Sequence, residues 1–206
     1  MIYRNEPIVR SPPAPQLYLH LTRVEWADAW VNGGEVPLSL ASSYLAAERE
    51  GTRTPDENLV HRSNVDLTKL APMVKLEPGV SLKNFAMVGC SVNGLPIPDA
   101  FGDYYEEDGI VLCFSLVRSE SVARRLGKTA CAEILKFEEL KTSLDEQIGA
   151  IGKAGPCNYT DDHQRGHFLK FRADEWQREY RIFWPADRPR AVMLPGGCAK
   201  VVDFSP

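Results

Sequence analysis

"GIVLCFSLVRS", residues 109–119, carries the strongest strand signal in the chain. Its near-continuous run of branched and aromatic side chains is typical of a central, buried strand. The stretch "REYRIFW", residues 178–184, turns from polar to large apolar residues and predicts another strand late in the chain. We therefore expect a sheet organised around these two strands.

The chain ahead of the central strand begins with a strand and a short helix. "QLYLHL" at 16–21 is rich in Leu and Tyr and predicts a strand. Thr22 and Glu25 then have the spacing of a capping box, and Gly33-Gly34 is a stop signal, so a short helix is expected between them. A further helical segment is expected around residues 43–50.

The remaining segments mix strands and helices. Residues 52–69 are polar and loop-like, whereas short apolar runs between Pro and Gly in 73–108 predict strands and long loops. Ser119 or Ser121 is expected to cap a short helix in "SESVARRLG". A longer helix is predicted by the spacing of four apolar residues, Leu140, Leu144, Ile148 and Ile151. Further strands are predicted in "ACAEILKF", "PCNYTDD", "HFLKF", "RAVML" and "AKVVDF".

This order of elements favours an α+β protein. A chain of 206 residues suits one domain with a sizeable core, and no linker divides it. We expect an N-terminal arm over residues 1–15, which is rich in proline, and a single domain over 16–206.

Composition limits the classes of partner. The net charge of -4 and the pI of about 5.6 argue against a broad basic surface for nucleic acid. The segment 118–128 is richer in Lys and Arg, and it is either a local basic patch or a solvated helix face. No apolar run is long enough to span a membrane, and the N-terminus lacks the apolar region of a signal peptide. The five scattered cysteines lack a C-x-x-C pair and read as reduced thiols, so a cytoplasmic location is expected.

Several common catalytic patterns are missing from the sequence. There is no phosphate-binding G-x-x-x-x-G-K-[ST] loop, no G-x-G-x-x-G turn and no G-x-S-x-G nucleophile elbow. His163 and His167 have H-x-x-x-H spacing with Cys157 upstream, but no fourth zinc ligand follows at a convincing distance. We interpret these histidines as polar residues of a strand connection.

The remaining candidates are polar residues on predicted strands. His20 and Thr22 share one face if their strand alternates, and such donors can hold a ribose hydroxyl or an amide. His20 is equally readable as a core or edge histidine, and Thr22 as a helix N-cap. Ser115 is a small hydroxyl in an apolar strand, which suits either a pocket or a bond to neighbouring backbone.

Gln177 and Glu179 form a Q-x-E pair at the mouth of the late strand. In an extended chain their side chains point to the same face. The carboxylate of Glu179 could hold a ribose hydroxyl and stabilise positive charge on a sugar, while the amide of Gln177 orients a nucleophile. Cleavage of a glycosidic bond passes through an oxocarbenium-like transition state, where a fixed carboxylate helps most.

In chain order, His20-x-Thr22, Phe114-Ser115 and Gln177-x-Glu179 resemble the three sparse motifs of the ADP-ribosyltransferase superfamily. The chain also resembles a widespread, little-characterised bacterial family with a middle "FS" strand and a late K…W-x-x-E-[YWF]-R signature. That signature is carried here by Lys170, Trp176, Glu179, Tyr180 and Arg181. The two likenesses span about residues 16–185, and 73–108 has no counterpart in them.

The resemblance implies a fold, a co-substrate and residue roles. The fold would be an ADP-ribosyltransferase-like split β-sandwich of two small sheets with short flanking helices. NAD would be the co-substrate without a metal, Glu179 the catalytic carboxylate, and Gln177 would face the acceptor, with the loop 157–168 selecting the target. The residues implied around NAD are His20 at a ribose, Thr22 and Ser115 on the nicotinamide side, Tyr44 against the nicotinamide ring, and Arg23, Arg49 or Arg53 at the pyrophosphate.

The function implied by this resemblance is mono-ADP-ribosyl transfer to a protein or a nucleic acid. By analogy the chain would be a bacterial toxin or anti-phage effector, with an antitoxin or regulatory partner and no membrane association. The alternative is a non-catalytic NAD- or nucleotide-binding or interaction module on the same fold. RNA 2'-phosphate transfer is a further reaction to consider, but it needs several basic residues around the phosphate, and the early motif has few.

Overall fold

The computed structural model describes residues 15–44, 58–70 and 82–204. The described chain is a mixed α+β structure in which strands, arranged in several small and mostly antiparallel sheets, outnumber helices. The expected α+β class is therefore confirmed. No helix in the described ranges is long and apolar enough to cross a membrane.

The elements follow one another along the chain as a series of short strands with few helices. The strands are β1 (Leu17–Leu21), β2 (Gly34–Leu38), β3 (Leu59–Ser63), β4 (Leu82–Met87), β5 (Ser91–Val92), β6 (Leu95–Pro96), β7 (Ala100–Glu106), β8 (Gly109–Ser115), β9 (Ala130–Ile134), β10 (Lys153–Pro156), β11 (Asn158–Thr160), β12 (Leu169–Phe171), β13 (Glu179–Pro185), β14 (Arg190–Leu194) and β15 (Ala199–Val202). The α-helices are α1 (Ala27–Asn32), α2 (Glu120–Arg125) and α3 (Phe137–Ile148). Short 3₁₀ helices cover Val24–Trp26, Ala41–Tyr44, Leu67–Leu70 and Arg172–Gln177.

The largest sheet has six strands in the order β10-β13-β8-β1-β9-β15. The predicted central strand and the predicted late strand, β8 and β13, are neighbours that pair antiparallel from Glu179 opposite Ser115 to Pro185 opposite Gly109. Both strand predictions are confirmed. The pairing places two of the candidate site residues, Ser115 and Glu179, directly opposite each other.

One face of this sheet forms the main hydrophobic core. Ile110, Ile182 and Trp184 are fully buried there, and the core continues into the buried face of α3. Leu140 and Leu144 of α3 are fully buried as their spacing predicts, but Ile151 is 86% exposed. The helix ends at Ile148 because Gly149 takes a left-handed conformation, so Ile151 never joins the helical face.

The predicted capping role of Thr22 is wrong. The N-cap of the 3₁₀ helix is Arg23, without a side-chain hydrogen bond, and α1 begins only at Ala27. The hydroxyl of Thr22 instead accepts a hydrogen bond of 3.0 Å from Lys128. By contrast, Ser119 caps α2 by accepting a hydrogen bond from the backbone N–H of Val122, as the sequence predicts.

The expectation of an irregular segment over 52–69 is also wrong in part. Residues 59–63 form β3, an edge of the sheet β3-β7-β4, and its His61 and Ser63 are buried. Their polar side chains satisfy one another, with His61 Nε2 and Ser63 Oγ 2.9 Å apart, so the strand lacks the apolar pattern that reveals burial. Of the helix expected around 43–50, the described part ends at Tyr44 in a 3₁₀ helix, and 45–50 lie outside the described residues.

Candidate functional site

The six-stranded sheet opens between β1 and β8. Strand β1 pairs with β9 from Leu17 opposite Ile134 to Leu21 opposite Ala130, whereas its register with β8 is set by Tyr18 opposite Ser115. A cavity of about 740 Å³ lies at this opening, which is a usual size for a small-molecule site. Its walls come from β1, β8, β2, α1 and the turn before β13.

Three neighbouring strands bring the candidate residues to this cavity. Glu179 of β13 lies opposite Ser115 of β8, and Ser115 lies opposite Tyr18 of β1. Because side chains alternate along a strand, His20 shares the face of Tyr18. His20, Ser115, Gln177 and Glu179 all line the cavity. Residues from three distant parts of the sequence are thus gathered around one space.

Glu179 is held by two buried cations. Its Oε2 lies 2.9 Å from Lys170 Nζ and 3.0 Å from a terminal nitrogen of Arg181. The side chains of Lys170 and Arg181 are 2% and 1% exposed. Cys157 Sγ approaches the same oxygen at 3.8 Å. The carboxylate therefore has a fixed direction and neighbours of opposite charge.

These cations decide the protonation state of Glu179. Burial alone would raise the pKa of its carboxyl, because a charged form is costly away from water. Arg181 and Lys170, with a further hydrogen bond from the Cys113 thiol, outweigh that effect and leave the pKa below its ordinary value. Glu179 is consequently an ionised, buried carboxylate at neutral pH.

Gln177 meets Glu179 by a different route from the one predicted. It ends a 3₁₀ helix, and Arg178 takes a left-handed conformation with φ of 48° before β13 starts, so the Q-x-E segment is not extended. The two side chains nevertheless converge, because Lys170 Nζ donates to Gln177 Oε1 as well as to Glu179, both at 2.9 Å. The amide of Gln177 also donates to Asp174 at 3.2 Å, which fixes both ends of that group.

Ser115 and His20 differ in how they are engaged by the protein. The hydroxyl of Ser115 donates to the Gln177 carbonyl at 3.0 Å and accepts from the backbone N–H of Val117 at 3.2 Å. His20 packs edge-on against Phe204, and its buried Nε2 has no hydrogen-bond partner among the described residues. Burial, with the nearby charge of Lys128, lowers the pKa of His20 to about 4, so the ring is neutral at physiological pH.

The other predicted NAD contacts are not gathered at the cavity in the described ranges. Thr22 is bound to Lys128, and the Arg23 guanidinium lies 5.9 Å from the Trp26 ring. Neither Thr22 nor Arg23 is among the cavity-lining residues of the described chain. Tyr44 is the last residue of its 3₁₀ helix, and only its backbone is described. Arg49 and Arg53 lie outside the described residues.

The lining of the cavity combines charged and aromatic side chains, which the sequence did not reveal. Glu25, Asp28 and Glu35 contribute carboxylates, while Lys128 contributes a cation. Trp26, which is 53% exposed, offers an aromatic face to a planar ring. The acidic residues sit on separate elements, so no spacing rule could have grouped them.

Lys170 and Arg181, the two cations that contact Glu179, are residues to which the sequence motifs assigned no role. The late signature contains both, but surface exposure is the default for such residues. The available signal was their position, since each lies within a strand of large apolar residues close to Glu179. A cation in such a strand needs a buried partner.

The loop 157–168, predicted to select the target, is fastened to the same strand. The backbone N–H of Cys157 donates to the Glu179 carbonyl at 2.9 Å, and the Tyr159 hydroxyl accepts from the Glu179 N–H at 3.0 Å. Arg181 donates to the His167 carbonyl at 3.0 Å. The loop therefore has both ends bonded to the strand that carries the carboxylate.

The two histidines of the H-x-x-x-H pattern lie in this loop but bind different partners. His163 contacts Asp162 at 2.5 Å and the backbone carbonyl of Ser63 at 3.0 Å. His167 contacts Glu107 at 2.9 Å and stacks on Phe183. No cluster of three or more His, Cys, Asp or Glu in the described parts of the chain is arranged to hold a metal ion.

Comparisons of the chain with protein-family models, with curated proteins and with solved structures found no match.

Proposed function

We propose that this protein is an NAD-dependent mono-ADP-ribosyltransferase with an ADP-ribosyltransferase-like split β-sandwich. The observation that carries the proposal is the convergence of His20, Ser115 and Glu179 from three adjacent strands on one cavity. The cavity lies where β1 and β8 separate, and its size suits a dinucleotide in a folded form.

The reaction would depend on Glu179 as an ionised carboxylate. The bond between the nicotinamide nitrogen and the ribose breaks, and its electron pair leaves with the nicotinamide. Glu179 stabilises the positive charge that develops on the ribose and accepts a hydrogen bond from the 2'-hydroxyl. A nucleophile on the target forms the new bond to the ribose and loses its proton to solvent.

The remaining cavity residues support NAD binding. His20 is neutral and keeps Nε2 without a protein partner, which suits a hydrogen bond to a ribose hydroxyl. Trp26 would stack on one of the rings, and Ser115 would keep the turn before Glu179 in place. Tyr44 and the arginines remain proposed contacts of the nicotinamide and the pyrophosphate.

The acceptor would be a protein or a nucleic acid, as for a toxin or an anti-phage effector that has an antitoxin or regulatory partner. A local basic patch is compatible with the exposed Arg124 and Arg125 of α2. It is equally compatible with a solvated helix, because Arg124 pairs with Glu120 at 2.6 Å and Arg125 lies 3.7 Å over the Trp176 ring. The experiment must therefore be able to detect transfer to protein, to RNA and to DNA.

The experiment incubates the protein with NAD labelled in the adenosine part and with a bacterial extract, and it separates labelled protein, RNA and DNA. Glu179→Gln should reduce labelling by about 100-fold or more, because it removes a charge that acts in the transition state. Glu175→Gln is the matched control, since this glutamate is half-exposed on the preceding 3₁₀ helix. Full labelling by Glu179→Gln would overturn the proposal.

A second candidate function is NAD or nucleotide binding without catalysis. The two buried cations on Glu179 favour it, because they offset the negative charge that would stabilise the transition state. This candidate predicts binding of NAD by calorimetry with no nicotinamide released, with or without extract. Release of nicotinamide that requires Glu179 would exclude it.

A further inference from the structure

The two carboxylate oxygens of Glu179 have unequal surroundings. Lys170, Arg181 and Cys157 all contact Oε2. Glu179 lines the cavity, whereas neither Lys170 nor Arg181 is among the described residues that line it. The cations thus approach the carboxylate from inside the protein, on the side away from the cavity.

Each cation is itself anchored by a second bond to the protein. Lys170 Nζ donates to Gln177 Oε1 at 2.9 Å, so one ammonium group ties together both members of the Q-x-E pair. Arg181 donates to the His167 carbonyl at 3.0 Å, which links it to the end of the loop 157–168. These second bonds leave Oε2 little freedom to move towards a ligand.

We infer that Lys170 and Arg181 are positioning residues that bind Oε2 of Glu179 within the protein and present Oε1 to the cavity as the ligand-facing oxygen. The cations also keep the carboxyl ionised despite its burial. In this arrangement Oε2 is structural, and Oε1 would meet a ribose hydroxyl on the cavity side, where the Cys113 thiol, a further hydrogen-bond donor to the carboxylate, also lies. The assignment of Oε1 to a ribose rests on the proposed function, whereas the ionisation and orientation of Glu179 do not.

The test measures ionisation and catalysis separately. The protein is labelled with ¹³C at glutamate carboxyl groups, and the Glu179 signal is assigned by its loss in Glu179→Gln. Its titration is followed by NMR from pH 3 to 8 in the full-length wild type and in Lys170→Met. Lys136→Met is the matched control, because Lys136 is an exposed lysine paired with Glu139. Nicotinamide release from NAD is recorded over the same pH range.

The inference predicts that the Glu179 carboxyl of Lys170→Met titrates at a higher pH than that of the wild type, and that Lys136→Met leaves it unchanged. The acid limb of nicotinamide release should move upward by the same amount, and the rate at its optimum should fall by about 100-fold because the carboxylate is misplaced. If Lys170 had a purely structural role, its loss would lower the amount of folded protein but would not shift the acid limb of the pH profile of nicotinamide release.

Two further results decide the remaining cases. If Lys170→Met does not fold, Arg181→Lys keeps a cation with a shorter reach beside Glu179 and should show the same upward titration. An unchanged titration of Glu179 in a folded Lys170→Met or Arg181→Lys protein would overturn the inference. A wild type that binds NAD but releases no nicotinamide would overturn the proposed function alone, since the titration still reports the positioning.

Discussion

Ser115 Oγ donates a hydrogen bond of 3.0 Å to the backbone carbonyl of Gln177. This bond joins the end of β8 to the turn in which Arg178 takes its left-handed conformation. The turn is followed by Glu179, whose backbone faces Ser115 in the sheet register. The hydroxyl therefore acts on the carboxylate through the main chain.

Ser115→Ala is expected to lower the free energy of unfolding by about 1 kcal/mol, the usual net value of one buried hydrogen bond. It should also weaken the proposed binding of NAD, because the turn before Glu179 loses a hydrogen bond that holds it in place. Urea unfolding and calorimetry measure the two effects. Thr142→Ala, at an exposed residue of α3, is the control and should change neither quantity.

Glu179→Ala is expected to lower the free energy of unfolding by about 3–5 kcal/mol at pH 7, because it leaves Lys170 and Arg181 buried without their anion. Loss of this carboxylate would therefore change the stability of the fold as well as the charge in the cavity. Denaturation with urea measures the loss. The control is Glu146→Ala, an exposed residue of α3, which should be nearly neutral.

The pH dependence of stability should report the same carboxylate. The pKa of Glu179 is lower in the folded protein than its ordinary value, so its contribution is present above the unfolded pKa and is lost as the pH falls through the folded pKa. Below about pH 4.5 the wild type should lose stability faster than Glu179→Gln. Parallel acid-unfolding curves for the two proteins would contradict this prediction.

His20 should titrate with a pKa of about 4 instead of its ordinary value of 6.5. Because the folded pKa is the lower one, the neutral ring contributes stability above pH 6.5, and this is lost as the pH falls towards 4. NMR titration of the histidine ring signals, assigned with His20→Asn, measures the value. Titration of the His20 signal near 6.5 would show that its ring is hydrated in solution.

The sequence predicted those parts of the fold in which burial and periodicity agree. Strands β8 and β13 carry runs of large apolar residues, and the spacing of Leu140, Leu144 and Ile148 marks one face of α3. Strand β3 was not predicted, because its buried His61 and Ser63 are polar and hydrogen-bond each other.

The candidate site was partly predictable for a similar reason. Glu179 stood out as a carboxylate at a strand entrance, and the order of the motifs directed attention to His20 and Ser115. The bond from Lys170 to Glu179 joins residues of different elements, so it depends on the left-handed turn at Arg178. Neither periodicity nor residue spacing encodes such a turn for a residue other than Gly or Asn.

Asp145 should stabilise the core on the face of the six-stranded sheet that carries Trp184, opposite to the face that carries Glu179. It accepts hydrogen bonds from the Trp184 indole at 2.7 Å and from the Gly152 N–H at 2.9 Å, and it pairs with Lys141. Asp145→Ala is expected to lower the free energy of unfolding by about 3 kcal/mol, since it leaves a buried indole N–H unpaired. Thermal unfolding measures the loss, and Asp187→Ala, whose side chain is 86% exposed, should be neutral.

Gly152→Ala should destabilise the protein more than Gly155→Ala, although both glycines lie close together before β11. A Cβ at residue 152 would overlap the Trp184 indole and would lie 2.8 Å from a methyl group of Ile182, both fixed in the core. A Cβ at residue 155 would meet only Phe168, at 4.0 Å. We expect a loss of about 1–3 kcal/mol for Gly152→Ala and a change within about 0.5 kcal/mol for Gly155→Ala, measured by urea unfolding. Equal stability of the two variants would mean that Trp184 does not pack against Gly152 in solution.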